Sequence, residues 1–305
     1  MLFLDLHPSV AISHTKKTKY IRNKGVLVYH IVYDLLPIQF PNYFWPELCT
    51  EFELWLQAVS QSDGVFCISK SVAVDFTRWY NEQNFQRRRK FVIDWFHLGA
   101  DVENSLPSYG LPQDSELVID KLKSSISFLM VGTIEPRKGH LQVLEAFEKL
   151  WAAGCEINLV LVGKKGWQVD ELVSKIRTHK KLHDRLFWLE RVSDEYLELI
   201  YTNSSALIAA SFGEGFGLPL IEAAQHKISL IARDIPVFKE VAGEHAFYFE
   251  NSDNHLLLAD AIEVWIELYK RDQHPKSHDM KYLTWKESAK QLVDALQRLN
   301  YKGTI

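Results

Sequence analysis

Between residues 127 and 232, short apolar runs alternate with longer stretches in which apolar side chains recur every three or four positions. The runs at 127–131, 157–162, 187–189, 206–210 and 229–232 read as buried strands, and the stretches at 140–153, 170–179, 194–204 and 218–225 have the period of helices packed along one side. Hairpin signals are scarce, and regular β–α alternation specifies a parallel, doubly wound sheet. The same alternation runs through the first hundred residues. Strands are expected at 26–32, 64–68 and 91–96, and a helix at 45–60 with Leu48, Phe52, Trp55, Leu56 and Val59 on one face. A further helix opens at Lys70 or Ser71 and reaches about residue 80. Pro107, Gly110 and Pro112 break the pattern over 104–113, which marks a linker. The expected organisation is an α/β chain with one domain over 1–108, a second over 109–278, and a terminal segment 279–305 carrying a closing helix at 282–299.

Composition excludes several classes. At 305 residues, 47% hydrophobic and 24% charged, the chain is an ordinary globular one, long enough for one large core or two medium ones. A net charge of −4 gives no whole-protein basic field for nucleic acid. Cys49, Cys67 and Cys155 are far apart and form no C-x-x-C pair, so neither a zinc site nor a disulfide framework is indicated, and a reducing compartment is expected. Residues 1–5 lack the basic start of a signal peptide, and no run approaches the roughly eighteen apolar residues that a membrane span needs. A cytoplasmic location follows as an expectation. Two basic clusters stand out, Lys16, Lys17, Lys19, Arg22 and Lys24, and Arg87, Arg88, Arg89 and Lys90, the second flanked by Phe85, Phe91, Trp95 and Phe96. Either reads as a solvated face or as a docking patch for anionic lipid headgroups.

Candidate chemistry concentrates in two loops. In the run 211–223, Ser-Phe-Gly-Glu-Gly-Phe-Gly-Leu-Pro-Leu-Ile-Glu-Ala, Glu214 and Glu222 are separated by seven residues. Gly213, Gly215 and Gly217 allow close backbone approach, and Pro219 starts the next helix. One carboxylate therefore lies on a loop at a strand's carboxyl end and the other about one turn into the helix that follows, the place where open α/β sheets bind ligands. Gly132-Thr133-Ile134-Glu135-Pro136-Arg137-Lys138-Gly139 occupies the equivalent position after the strand at 127–131. There a guanidinium fork, an ammonium and a helix start suit phosphate oxygens.

The run 214–223 resembles the paired-glutamate signature of retaining nucleotide-sugar glycosyltransferases of the GT-B fold, glycosyltransferase family 4, and the resemblance extends over about residues 26–296. Glu135-Pro136-Arg137-Lys138 is similar to the variant of polysaccharide-assembling members, the mannosyl- and rhamnosyltransferases among them. The resemblance implies two Rossmann-like domains facing a cleft, the first of them incomplete here: the opening strand and its Gly-rich acceptor loop have no counterpart, so the amino end looks shortened. It implies metal-independent transfer of a hexosyl group from a nucleotide-diphosphate sugar, with retention, to a saccharide or lipid-linked acceptor in surface polysaccharide synthesis such as lipopolysaccharide, and no cofactor beyond the donor. Glu214 would then contact the donor sugar, either holding a hydroxyl or stabilising charge. Arg137 and Lys138 would meet the leaving diphosphate, with Gly132 and Thr133 in the same loop and Lys164 as an added phosphate contact. Glu222 would accept from both ribose hydroxyls. The amides of Gly215, Phe216, Gly217 and Leu218 would touch sugar or diphosphate, and Val192, in Arg191-Val192-Ser193, would meet the base through backbone groups. Asp34, His97 and Ser69 are the acceptor-side candidates, and Arg87, Arg88, Arg89 and Lys90 a peripheral membrane contact. His30, on an apolar strand, reads as a core residue.

Some positions depart from the family. Many relatives carry arginine where Thr133 stands, and after Glu222-Ala223-Ala224 the run Gln225-His226-Lys227-Ile228-Ser229-Leu230 replaces the small residue, glycine and Pro-Val that are usual there. A nicotinamide oxidoreductase fits poorly, because the third glycine of Gly213-x-Gly215-x-Gly217 comes one position early. No Asp-x-Asp metal motif occurs. The remaining alternative is a non-catalytic nucleotide-sugar-binding partner or an inactive remnant.

Overall fold

A computed structural model describes residues 1–4, 12–86, 90–101 and 107–302, the side chains of 300–302 excepted. The chain divides into two compact units, one of residues 1–101, 214–216 and 282–305, the other of 102–213 and 217–281.

In the first unit, β1 (Leu2–Phe3), β2 (Tyr29–Val32), β3 (Gly64–Cys67) and β4 (Val92–Trp95) form a parallel four-stranded sheet in chain order. Strands β2 and β3 are buried along their whole length, as continuous apolar runs of parallel sheets are. Helix Pro46–Val59 buries Phe52, Trp55, Leu56 and Val59 against this core, but Leu48 of the expected face is 38% exposed, since the first turn extends past the packed surface. Helix Lys70–Glu82 starts at Ser69, whose hydroxyl accepts from the Val72 amide at 3.1 Å. The basic stretch near the start folds as helix Thr15–Asn23, with no buried residue, and is tied down by Arg22, which pairs with Asp63 at 2.7 Å. The closing helix, Trp285–Lys302, is anchored by the Ser288 hydroxyl donating to the His97 carbonyl at 2.6 Å and by a parallel bridge between Gly99 and Leu283.

In the second unit, β5 (Ser127–Val131), β6 (Asn158–Val162), β7 (Leu186–Leu189), β8 (Ala206–Ala209), β9 (Ser229–Arg233) and β10 (Ala246–Phe249) form a parallel sheet ordered β10-β9-β8-β5-β6-β7. The chain runs outward from β5 to β7, returns to the other side of β5 as β8, and runs outward again to β10. The doubly wound order reverses between β5 and β8. Helices Ser115–Ser124, Pro236–Ala242 and His255–Lys270, and strand β10, were not expected from the hydrophobic pattern. The long one, His255–Lys270, buries Leu258, Ala259, Ile262, Trp265 and Ile266 in the sheet's main core. There Trp265 meets Phe128 edge-on at 5.3 Å. Strand β9 runs one residue further than its apolar run and ends in Arg233, which is fully buried. Its Nε and Nη2 donate to the Ala210 carbonyl at 3.0 and 2.9 Å, and its Nη1 to the Ser252 carbonyl at 2.6 Å. Its guanidinium lies 3.9 Å from the Phe212 ring centre.

Among the described residues, no helix is long and apolar enough to cross a membrane. Trp265→Ala is expected to destabilise the second unit by about 3–5 kcal/mol, as truncation of a large core aromatic does. Urea unfolding followed by circular dichroism measures this, and a loss below about 1 kcal/mol would contradict the packing described.

Candidate functional site

The reversal of strand order sets the loops after β5 and β8 beside each other at the carboxyl edge of the second unit's sheet. The β5 loop makes a short 3₁₀ turn at Pro136–Lys138 and ends at Gly139, with φ 74°, as the N-cap of helix His140–Ala152. A Cβ at position 139 would stand 2.4 Å from the Ala210 carbonyl oxygen, so the two loops touch only because this residue has no side chain. Two hydrogen bonds complete the join. The Phe212 amide donates to the Arg137 carbonyl at 2.9 Å, and Arg137 Nη1 donates to the Gly213 carbonyl at 3.1 Å.

These contacts change the reading of Arg137. Its Nε lies 3.2 Å from Glu135, in a pair whose side chains are 14% and 9% exposed. Two nitrogens of the guanidinium thus face protein groups, and Arg137 joins the loops as well as carrying charge. Lys138 lies across the loop, its Nζ 3.9 Å from where a Cβ on Gly132 would be. Thr133 is exposed. The β6 loop braces this turn from the other side. The Gly132 amide donates to the Val162 carbonyl at 2.9 Å, the Ile134 amide to the Lys164 carbonyl at 2.8 Å, and the Gly166 amide to the Ile134 carbonyl at 2.9 Å. Lys164 enters through its backbone, and its residue is exposed.

Helix Leu218–Gln225 begins at Gly217 and carries Glu222 in its second turn. The Tyr201 hydroxyl, from helix Asp194–Thr202, donates to Glu222 Oε2 at 3.0 Å. Burial pushes the Glu222 carboxyl above the usual carboxylate range, and the Tyr201 hydrogen bond acts in the opposite sense. Tyr201 is raised in turn, by burial first and then by Glu222, and remains a donor at neutral pH. The unusual continuation after Glu222 is accommodated by Lys227, which takes φ 59° at the turn that closes the helix, a place where glycine is favoured. Val192 is half-buried in a loop where Arg191 has φ 55°. Next to it Ser193 caps helix Asp194–Thr202 by accepting from the Tyr196 amide, and donates to the Gly110 carbonyl at 2.7 Å. Asp194 accepts from both the amide and the hydroxyl of Ser108, so the residues that close the expected linker are fastened to this helix start.

The other sequence candidates belong to the first unit. Gly215 approaches the Tyr33 carbonyl so closely that a Cβ would fall 2.2 Å from its oxygen, and the Gly215 carbonyl accepts from the Ser69 hydroxyl at 2.8 Å. Ser69 is thus engaged twice, as helix cap and as holder of the Gly215 backbone. Phe216 is buried, with the His97 ring 5.3 Å away, and Glu214 is half-buried. His97 also accepts the Ser288 hydroxyl at its carbonyl. Asp34 accepts from the Leu36 amide at 3.1 Å, which starts the turn Leu36–Gln39. His30 is buried and stacked on Phe3 at 4.6 Å, and burial lowers it to about 4, so it is a neutral core residue. Arg87, Arg88 and Arg89 lie outside the described residues, and Lys90 is exposed.

Within the second unit, Lys138 stands one residue before the N-cap of a thirteen-residue helix, a combination of cation and helix start suited to phosphate oxygens. The carboxylate of Glu222 is suited to accept from a diol. Tyr201 and Arg233 escaped the sequence reading. The only sign of either was an aromatic or a basic residue in an otherwise apolar period.

The family of glycosyl transferases group 1 matches residues 117–300 of the chain. The serotype-specific mannosyltransferase WbdA of Escherichia coli is 45% identical over 279 residues, which cover 90% of this chain and 34% of WbdA. The chain therefore spans about a third of that relative's length. The O-antigen chain mannosyltransferase RfbU of Salmonella typhimurium is 27% identical over 234 residues, 76% of this chain and 58% of RfbU. The crystal structure of Anabaena Alr3699/HepE in complex with UDP and glucose covers 97% of this chain and 77% of that one, with a TM-score of 0.71 and 15% identity. Sucrose-phosphate synthase from Thermosynechococcus elongatus covers 93% and 71%, with a TM-score of 0.66 and 16% identity. At such identities the likeness bears on the fold, which is that of the GT-B glycosyltransferases.

Because Glu222 has a raised pKa in the folded chain, the native state binds its proton more tightly than the unfolded state does. The stability this confers is complete below the unfolded value of 4.5 and is lost as pH rises through the folded one. Glu222→Gln is therefore expected to raise the thermal midpoint of the ligand-free protein at pH 7 and to leave it nearly unchanged below pH 4.5. Scanning calorimetry at the two pH values checks this, and an equal shift at both would contradict the burial argument.

Proposed function

The chain belongs to the family of glycosyl transferases group 1, and we propose that it transfers a mannosyl group from a nucleoside-diphosphate sugar to a saccharide or lipid-linked acceptor in the assembly of a surface polysaccharide. What carries the reading is the joined pair of loops at the reversal of strand order, with Lys138 on one and Glu222 on the helix that follows the other. The sugar is taken from the curated relatives, which are mannosyltransferases by name. The acceptor class follows from the O-antigen chains that some of them are named for.

In this reading the diphosphate rests against the start of helix His140–Ala152. Cleavage of the bond between anomeric carbon and phosphate oxygen leaves negative charge on the diphosphate, which Lys138 and the amides at that helix start stabilise more strongly as it develops. No metal or other cofactor is assigned to that task. Arg137 adds its charge from behind and keeps the β8 loop in place. Glu222 accepts from the ribose hydroxyls. Glu214 acts at the sugar, by holding a hydroxyl or by stabilising the positive charge of the ring. The acceptor oxygen attacks the face from which the diphosphate leaves, so configuration is retained. Asp34, Ser69 and His97 serve on the acceptor side, Ser69 and His97 by fixing Gly215 and Phe216. The enzyme works in the cytoplasm, at a membrane surface approached through Lys90 and its neighbouring arginines.

Release of free nucleoside diphosphate should depend on added acceptor. Release that never responds to any acceptor would favour a nucleotide-sugar-binding partner instead. Lys138→Ala is expected to lower kcat about a hundredfold, with a smaller change in KM, as removal of a donor to developing charge does. Unchanged turnover in this variant would remove the phosphate assignment. Glu222→Ala should weaken binding of a ribonucleoside diphosphate about tenfold or more and that of its 2′-deoxy analogue by less, measured by calorimetric titration. An equal loss for both would remove the ribose assignment.

A further inference from the structure

Tyr201 takes no part in the reaction proposed above, yet it holds one of the acids that does. It is the penultimate residue of helix Asp194–Thr202 and is 2% exposed. Its hydroxyl donates to Glu222 Oε2 at 3.0 Å. Its ring also stacks on His226, with centres 4.8 Å apart and planes 9° from parallel. His226 is the C-cap of helix Leu218–Gln225, the same helix that carries Glu222. One side chain from one helix therefore grips the next helix twice, by its ring at the end and by its hydroxyl at the acid.

A glutamate's terminal torsion is broad and close to two-fold, so an unheld carboxylate would sample many orientations. A hydrogen bond to Oε2 restricts that torsion and gives Oε1 a defined direction. We propose that Tyr201 is a positioning residue for nucleotide binding, holding the Glu222 carboxylate ionised and oriented so that its other oxygen meets the ribose. This rests on the assignment of Glu222 to the ribose. A carboxylate buried this far favours its protonated form, which would present a hydroxyl where an acceptor is needed. The Tyr201 hydroxyl, itself kept protonated, supplies a hydrogen bond that the ionised form accepts more strongly at Oε2 than the neutral acid does. His226, on the same helix, is lowered by burial and is neutral at pH 7, and the acid that acts on it is Glu198. Among the described residues, burial and Tyr201 are the influences that set Glu222.

Tyr201→Phe keeps the ring, the stack on His226 and the packing, and removes one oxygen. The probe is whichever of UDP, GDP and ADP the wild-type protein binds most tightly, titrated calorimetrically between pH 5 and 8. In the variant the Kd at pH 7 should rise about tenfold, as expected for loss of one hydrogen bond to a charged group. The acid limb of the binding curve should move to higher pH, and in turnover the donor KM should rise with kcat little changed. A purely structural tyrosine would move neither the acid limb nor the KM alone. Tyr201→Phe combined with Glu222→Gln should bind no more weakly than Glu222→Gln alone. If Glu222→Gln weakens binding while Tyr201→Phe stays within twofold of wild type with an unmoved acid limb, the positioning role is overturned and the ribose assignment stands. Full additivity of the two losses overturns the positioning role as well. If Glu222→Gln binds as wild type does, the ribose assignment falls and takes this proposal with it.

Discussion

The close approach of Gly139 to the Ala210 carbonyl is the constraint on which the second unit depends. A doubly wound sheet separates the connections of its two central strands, and that separation is what makes room for a ligand. Left alone, the two loops would move independently. Here they are pinned together by a missing side chain at position 139 and by the two hydrogen bonds that Arg137 shares with Phe212 and Gly213. Lys138 and the start of helix His140–Ala152 gain their fixed direction from that join, and the ladder from the β6 loop completes it.

Of the charged groups carried into low dielectric around this site, Arg233 and Glu222 are handled differently. Arg233 is surrounded by carbonyls and aromatic faces, so its charge is solvated by the protein wherever it might seek water. Glu222 is held in tension: burial favours its neutral form and one phenol favours its ionised form. The first arrangement stiffens the scaffold. The second leaves an acid that further hydrogen-bond donors would stabilise in its ionised form, an environment more common at functional sites than in a scaffold.

Much of this was readable from residue order. The strands and helices between 127 and 232 emerge from period, because short apolar runs and stretches with apolar residues every three or four positions alternate there without interruption. The glutamate pair and the basic turn stand out by composition and by their place after strands. The helices at 115–124 and 255–270 were harder, since exposed Leu117, Leu256, Leu257 and Val264 interrupt the polar faces and blur the period, and the helix at 236–242 has only seven residues in which to show one. Side-chain partnerships were not legible at all. That Arg137 would turn partly toward Glu135 and Gly213, that Ser69 would bond Gly215 across 146 residues, and that Asp34 would begin a turn all depend on contacts between distant segments. Periodicity is blind to such contacts.

Arg233 has a bearing on how units of this kind can be exchanged among relatives. Its guanidinium is read by Ala210 after β8, by Ser252 after β10 and by Gln142 in helix His140–Ala152. A chimera that imports β9 from another enzyme while keeping its neighbours would strand an ionised group in the interior, or leave three acceptors facing nothing. Recombination boundaries that respect this fold therefore fall outside residues 142–252, and a shorter graft fails by electrostatics before shape becomes an issue.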